Sequence, residues 1–302
     1  MEYWSKEAIA DWFKELQNDI CQQLETADGI GKFREDIWER AGGGGGRTRV
    51  ILGQHIEKGG VNFSAVHGDV SEKMSKNLQL DGDQFFATGV SIVLHPKSPM
   101  VPIIHMNVRY FETGDTWWFG GGIDLTPHYI NLEDARFFHQ SLKNICDKHH
   151  PDYYSKFKTW ADDYFYIRHR QETRGIGGIF FDRLSAENVV TKDQYFDFVQ
   201  DIGKVFCPIY LHLLQKNKDL PFSEKEKNWQ FLRRGRYAEF NLVWDAGTKF
   251  GLETNGRTES ILMSLPPMAQ WIYDYHPAPE SPEAFTLAHL RKGIEWLTGT
   301  ES

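Results

Sequence analysis

Cysteine is scarce: three residues in 302, Cys21, Cys146 and Cys207, far apart and odd in number. That excludes a disulfide framework and a CxxC metal site, and it fits a reducing compartment. The twelve histidines contain no HxxxH or HxH pair, so a metal site would have to be assembled wholly by the fold. No apolar run approaches the length of a bilayer span, which excludes a membrane span. The N-terminus, MEYWSKEAIADWFKELQNDICQQLE, lacks the basic and apolar regions of a signal peptide, and its acids argue against a mitochondrial presequence. A cytoplasmic location is expected. Positive charge is also short, 34 Lys and Arg against 42 Asp and Glu. A net charge of −8 excludes the broad basic surface that nucleic acid or anionic membrane requires, though it leaves room for a local basic pocket.

Aromatics, by contrast, make up 14% of the chain, enough for a core and for a flat ligand site. Hydrophobic and charged contents of 40% and 25% are those of a globular protein. With no internal repeat and no linker, residues 1–302 are expected to form a single domain. Ile9, Trp12, Phe13, Leu16, Ile20 and Leu24 fall at helical spacing behind Ser5, which predicts a capped amphipathic helix over 6–25. Strand patterns follow at 47–52, 60–67, 85–95, 102–111 and 117–125. The absence of helices between them points to antiparallel neighbours. Helical spacing then covers 132–148, 152–171 and 192–216, the last opened by a Thr191–Gln194 capping box and expected to kink at Pro208. Ser223 and Glu226 signal a short helix, Tyr237–Asp245 and Ile261–Met263 read as strands, and closing helices are expected from about 267 and from Ser281-Pro282 to the end. The order describes an α+β fold, an antiparallel sheet packed by helices.

The densest chemistry lies in IIHMNVRYFETGDTWWFGGGIDLTPHY, from Ile103 to Tyr129. In a strand His105, Asn107 and Arg109 share one face and Ile104, Met106, Val108 and Tyr110 the other. The first face offers a proton donor, a two-way hydrogen bonder and a fixed cation, as a site wall would. The competing reading is an edge strand with solvated polar residues. Ser91, Val93 and His95 share a face of the preceding strand, and pairing across PKSPM would turn Ser91 and His105 towards one cavity. Within FLRRGRYAEFNLVWDAGTKFGLETNGRTESILMSLPP, Asp245 ends a strand-like alternation with Glu239, Asn241 and Val243, as either a site acid or a turn cap. Arg257 follows Asn255-Gly256, a tight-turn dipeptide expected at positive φ; this corner suits a carboxylate or phosphate. The glycine run Gly42–Gly46 with Arg47 and Arg49 lacks the GK[ST] ending and the preceding strand of a phosphate loop, so a hinge or close backbone packing is the better reading.

With those residues in hand, the chain resembles the oxygen-dependent coproporphyrinogen III oxidases of haem biosynthesis. AGGGGGRTRV, GVNFSAVHG, HMNVRYFE, WWFGGGIDLTPHY, DDYFYIRHRQETRGIGGIFFD and RRGRYAEFNLVWD with GRTESILMSLPP carry the likeness in order along nearly the whole length. The resemblance implies a large antiparallel sheet flanked by helices on both sides, and a homodimer. It also implies oxidative decarboxylation of the propionates of rings A and B of coproporphyrinogen III to vinyl groups, giving protoporphyrinogen IX. O2 is the implied co-substrate, with no organic cofactor and no required metal. Carried over by position, His105 matches a proton donor, Ser91 a substrate contact, and Asn107, Val108 and Arg109 a substrate-binding tripeptide. Asn255, Gly256 and Arg257 match a second such stretch, and Asp245 matches an acid that engages the pyrrole nitrogens. The stretch from about Tyr237 to Trp271 matches parts linked to dimerisation. His95, His105, His139 and His169 match histidines suggested as metal contacts in bacterial members. One departure stands out: Ala246 occupies the place where the family usually has Arg. Two other classes would use the same groups, a metal-dependent oxidase built on the four histidines and a non-catalytic tetrapyrrole carrier.

Overall fold

The computed structural model describes residues 4–70, 72–78, 82–185, 190–253 and 256–298. Its centre is a seven-stranded, wholly antiparallel sheet of β1 (Phe33–Glu39), β2 (Gly44–Ile51), β3 (Ile56–Asp69), β4 (Gln84–Pro96), β5 (Ile103–Thr113), β6 (Thr116–Thr126) and β9 (Gly178–Leu184), in that spatial order. A two-residue hairpin, β7 (Tyr166–Ile167) with β8 (Glu172–Thr173), lies outside it. Alternation decides the two faces. On β5, Ile104, Met106, Val108 and Tyr110 are no more than 1% exposed and join Ile92, Leu94, Phe119 and Ile123 in the main core. Burial of each such side chain stabilises by roughly 1.5–3 kcal/mol. Helices α1 (Lys6–Asp28), α3 (Leu132–His149) and α5 (Lys192–Asn217) cover this face, and the three cysteines lie in them, all buried.

The opposite face is polar and is crossed by α6 (Glu224–Val243) and α8 (Thr258–Leu262), so helices do flank both sides. Ser260 of α8 bonds Thr48 at 2.7 Å, and His95 bonds the Ser264 carbonyl at 2.8 Å. Helix α4 (Tyr153–Tyr164) runs along β9, with Phe157 on Phe181 and Tyr164 stacked on Phe180. Three short helices complete the fold among the described residues: α2 (Glu72–Leu78), α7 (Ala246–Glu253) and α9 (Pro282–His289).

The caps at Ser5, Thr191 and Ser281 stand where the sequence puts them, and α5 runs through Pro208. Four expectations fail. Tyr237–Asp245 is not a strand: the helix opened by the Ser223–Glu226 capping box continues to Val243. Burial runs unbroken from Leu232 to Ala238 and resumes at Phe240 and Asn241, so it does not alternate, while Leu242, placed inward by the strand reading, is 48% exposed. Ile261–Met263 lies in and just after α8 rather than in a strand. The helix expected at 152–171 stops at Tyr164, where the chain enters the β7–β8 hairpin with Gln171 at φ 56°. Among the described residues no helix forms from 267, and the closing helix ends at His289 rather than at the terminus. Two sheet strands also went unread. β1 carries four charges in seven residues, and β9 is apolar on both faces behind a glycine cluster, so neither alternates.

Candidate functional site

Directly paired residues in an antiparallel sheet point to the same side, so the register assembles the polar face row by row. One row runs Val93, His105, Asp124 and Gly178. The next runs Asp36, Thr48, Asn62, Ser91, Asn107, Gly122 and Phe180. A third runs Trp38, Gly46, Ser64, Gly89, Arg109 and Gly120. Glycines at 46, 89, 120 and 122 strip side chains from the middle of this face. The result is a trough from β2 to β6, on the order of 20 Å across at one strand spacing per interval. Trp38 lies over Gly46 at one end, and Phe111 stacked on Trp118, 4.3 Å between centroids, borders the next row.

His105 is the titratable group of this wall. Its Nδ1 lies 2.7 Å from Asp124 Oδ1, and Asp124 is 1% exposed. The carboxylate fixes the proton on Nδ1 and leaves Nε2 with no hydrogen bond among the described residues. Burial pushes the Asp124 carboxyl up, but the Arg174 guanidinium and His105 outweigh it and hold its pKa below the ordinary carboxylate range. Arg174 donates Nη2 to Asp124 Oδ1 at 2.7 Å and Nη1 to Asn241 Oδ1 at 2.8 Å. Phe165, Tyr237 and Phe240 surround its guanidinium at 4.5 to 4.7 Å, a fixed buried cation beneath the histidine.

Arg109 donates Nη1 to Asn107 Oδ1 at 2.9 Å and Nη2 to Asp182 Oδ1 at 2.8 Å. Arg257 caps α8 and pairs with Asp36 of β1, so the two guanidiniums lie on one face of the sheet towards opposite rims. Asp245 stands above the β9 rim. Its Oδ1 accepts from Tyr164, 2.8 Å, and its Oδ2 from the amide and hydroxyl of Thr248, both 2.7 Å, which makes it the cap of α7. Burial and then Asp245 push the Tyr164 hydroxyl upward, so it stays a protonated donor. Ala246 is exposed at the start of α7.

The structure therefore brings His105, Ser91, Asn107 and Arg109 together as read from the sequence, with Asp245 and Arg257 at the rims. Val108 is a correction: its side chain is fully buried in the core on the other face, so it packs against the core rather than contacting the trough. Gly256 is a second, for it does not adopt positive φ, and Asn255 lies outside the described residues. Arg47 and Arg49 turn away from the trough, towards Gln17 and Asn18 of α1 and Glu35 of β1. Gly43 and Gly44, at φ 114° and 75°, instead make the turn into β2, where a Cβ on Gly44 would meet the Ala65 carbonyl at 2.3 Å.

The four histidines do not converge as a ligand set. His139 sits on the core side, bonded to Tyr154 and to the Ile176 carbonyl, and His169 bonds Glu239 and Trp244. Burial pushes His95 and His139 down to about 3. Among the described residues no three His, Cys, Asp or Glu are placed to hold a metal ion, so these histidines do not fit a shared metal. Sequence reasoning missed Asp124, Arg174 and Asp182. The signal available for Asp124 was its place as the one acid in an otherwise apolar, glycine-rich strand; Arg174 and Asp182 emerge only from their contacts in the fold.

Residues 8–296 match the family described as Coproporphyrinogen III oxidase. Among curated relatives, the oxygen-dependent coproporphyrinogen-III oxidase of Prochlorococcus marinus strain NATL2A is 50% identical over 94% of this chain and 89% of its own length. Its namesake in strain NATL1A is 49% identical over 94% and 89%, and that in strain MIT 9313 is 49% identical over 93% and 88%. The chain belongs to the coproporphyrinogen III oxidase family.

Proposed function

We propose that this protein converts the propionates of rings A and B of coproporphyrinogen III to vinyl groups, giving protoporphyrinogen IX in haem biosynthesis, with O2 as electron acceptor. The observation that carries the reading is a His–Asp pair whose free Nε2 borders a glycine-floored trough that also holds Arg109. The chain is acidic overall, yet a polyanionic ring needs cations only where its carboxylates land, and Arg109 and Arg257 supply planar donors there.

In each half-reaction a propionate loses CO2 and one β-hydrogen with its electron pair. O2 takes that pair together with one further proton to become H2O2. In this scheme the proton comes from Nε2 of His105 in its doubly protonated form, with Nδ1–H anchored by Asp124 so that the ring cannot turn away. Asp245 has three of its roughly four acceptor positions occupied by Tyr164 and Thr248, which leaves one for a pyrrole N–H. The pyrrole itself supplies the electrons, so the reading needs no organic cofactor and no metal. The reading includes a cytoplasmic location and a homodimer; the exposed apolar residues Met268 and Trp271 within the stretch linked to dimerisation, and Tyr273 just after it, support the homodimer. No described helix is long and apolar enough to cross a membrane.

The test is anaerobic mixing with coproporphyrinogen III in the presence of a chelator, followed by O2, with products read by mass. Loss of two CO2 only after O2 is admitted is the expected result. Binding without turnover would instead indicate a carrier, and loss of turnover to the chelator would indicate a metal enzyme.

A further inference from the structure

We propose that Asp182 sets the affinity and turnover of the trough as a resident carboxylate. It holds Arg109 when no substrate is bound, yields it to a propionate, and takes it back as product leaves. This rests on the reading of Arg109 as a propionate contact.

Two of the Asp–Arg pairs on this face of the sheet differ in the property that matters. Asp124 and Arg174 are 1% and 2% exposed in their side chains, a fixed pair that no ligand carboxylate reaches. Asp182 and Arg109 are 33% and 37% exposed at 2.8 Å, open to exchange with a carboxylate arriving from solvent. The second pair also lies flat over Gly120. A Cβ on Gly120 would stand 2.4 Å from Asp182 Oδ1 and 2.9 Å from both Nε and Nη2 of Arg109. The guanidinium thus reaches from β5 across β6 to a carboxylate on β9 and lies along the trough floor.

Of the five N–H groups of Arg109, one on Nη1 goes to Asn107 and one on Nη2 to Asp182, so a carboxylate gripped along the Nε–Nη2 edge meets Asp182 at Nη2. A propionate on that edge displaces Asp182, and the return of Asp182 stabilises the product-free state. Neutralising Asp182 while keeping its shape should tighten carboxylate binding and slow release. A side chain that merely orients Arg109 would do the reverse.

The experiment titrates coproporphyrin III, the stable fluorescent oxidised form, against wild type, Asp182→Asn, Asp182→Ser, Asp182→Glu and Arg109→Gln, and measures KM and kcat with coproporphyrinogen III. Asp182→Asn and Asp182→Ser should each lower Kd and KM about fivefold and lower kcat as well, the scale of removing one competing exposed charge. Asp182→Glu, which restores the charge, should give back most of the affinity change of the two neutral variants. If Arg109→Gln weakens binding while both neutral variants leave Kd unchanged or raise it, the resident-carboxylate proposal is wrong and the propionate contact stands. If Arg109→Gln leaves Kd unchanged, the underlying contact is wrong.

Discussion

At the scale of single residues, the site rests on charges whose burial differs. Asp124 is deep and orients, whereas Asp245 is accessible and has a position to spare. Asp124→Asn keeps size but removes the charge that fixes the His105 proton, and it leaves Arg174 as a buried cation without its carboxylate. We expect kcat to fall about 10²- to 10⁴-fold, with a stability loss of about 3 kcal/mol from the stranded guanidinium. Steady-state kinetics and thermal denaturation check the two effects separately, and unchanged kcat would remove Asp124 from the mechanism. His105, Asn107 and Arg109 were legible in the sequence because strand alternation is a local property of eleven residues. Asp124 was not, since it faces His105 only through a cross-strand register nineteen positions away.

At the scale of elements, what could be read was whatever repeats locally. The five central strands and the capped helices α1 and α5 signal themselves by alternation, helical spacing and cap residues. The two outer strands, β1 and β9, do not, since neither carries the inward-apolar, outward-polar pattern. Helix α6 was misread because Tyr237 to Trp244 satisfies a two-residue alternation as well as a helical one, and only burial by neighbouring elements separates the two. One residue of α6 ties several elements together. Glu239 accepts from His169 and Arg170 near the β7–β8 hairpin, from Arg236 of its own helix, and from Trp271 beyond α8. Burial pushes its carboxyl up, but Arg170, His169 and Arg236 dominate and lower it to about 2. A depressed carboxylate contributes stability that is present above its unfolded pKa and lost as pH falls towards the folded one. The melting-temperature gap between wild type and Glu239→Gln should therefore be full above about pH 4.5 and close towards about pH 2, with at most about 3 kcal/mol at stake. A gap independent of pH in that window would mean that Glu239 acts by packing rather than by charge.

At the scale of the whole molecule, an acidic chain concentrates cations on one sheet face and leaves apolar residues exposed elsewhere. Leu242, Val243, Met268 and Trp271 are each at least 45% exposed and Tyr273 is 98% exposed, all in one stretch of the sequence. Sedimentation should show a dimer for wild type, and Tyr273→Arg with Met268→Arg should shift it to monomer; a wild-type monomer at working concentrations would remove the assembly from the reading. The exposure of these apolar residues could not be read from the sequence pattern, because surface apolar residues carry no periodic signature. The three cysteines, finally, are buried in helices on the far side of the sheet, and burial raises each thiol to about 12. At neutral pH essentially none is ionised, and it is the thiolate that hydroperoxides attack. On the proposed chemistry, in which dioxygen becomes peroxide at the trough, the sulfur thus stays out of the line of fire, and working lifetime should be limited by something other than thiol damage.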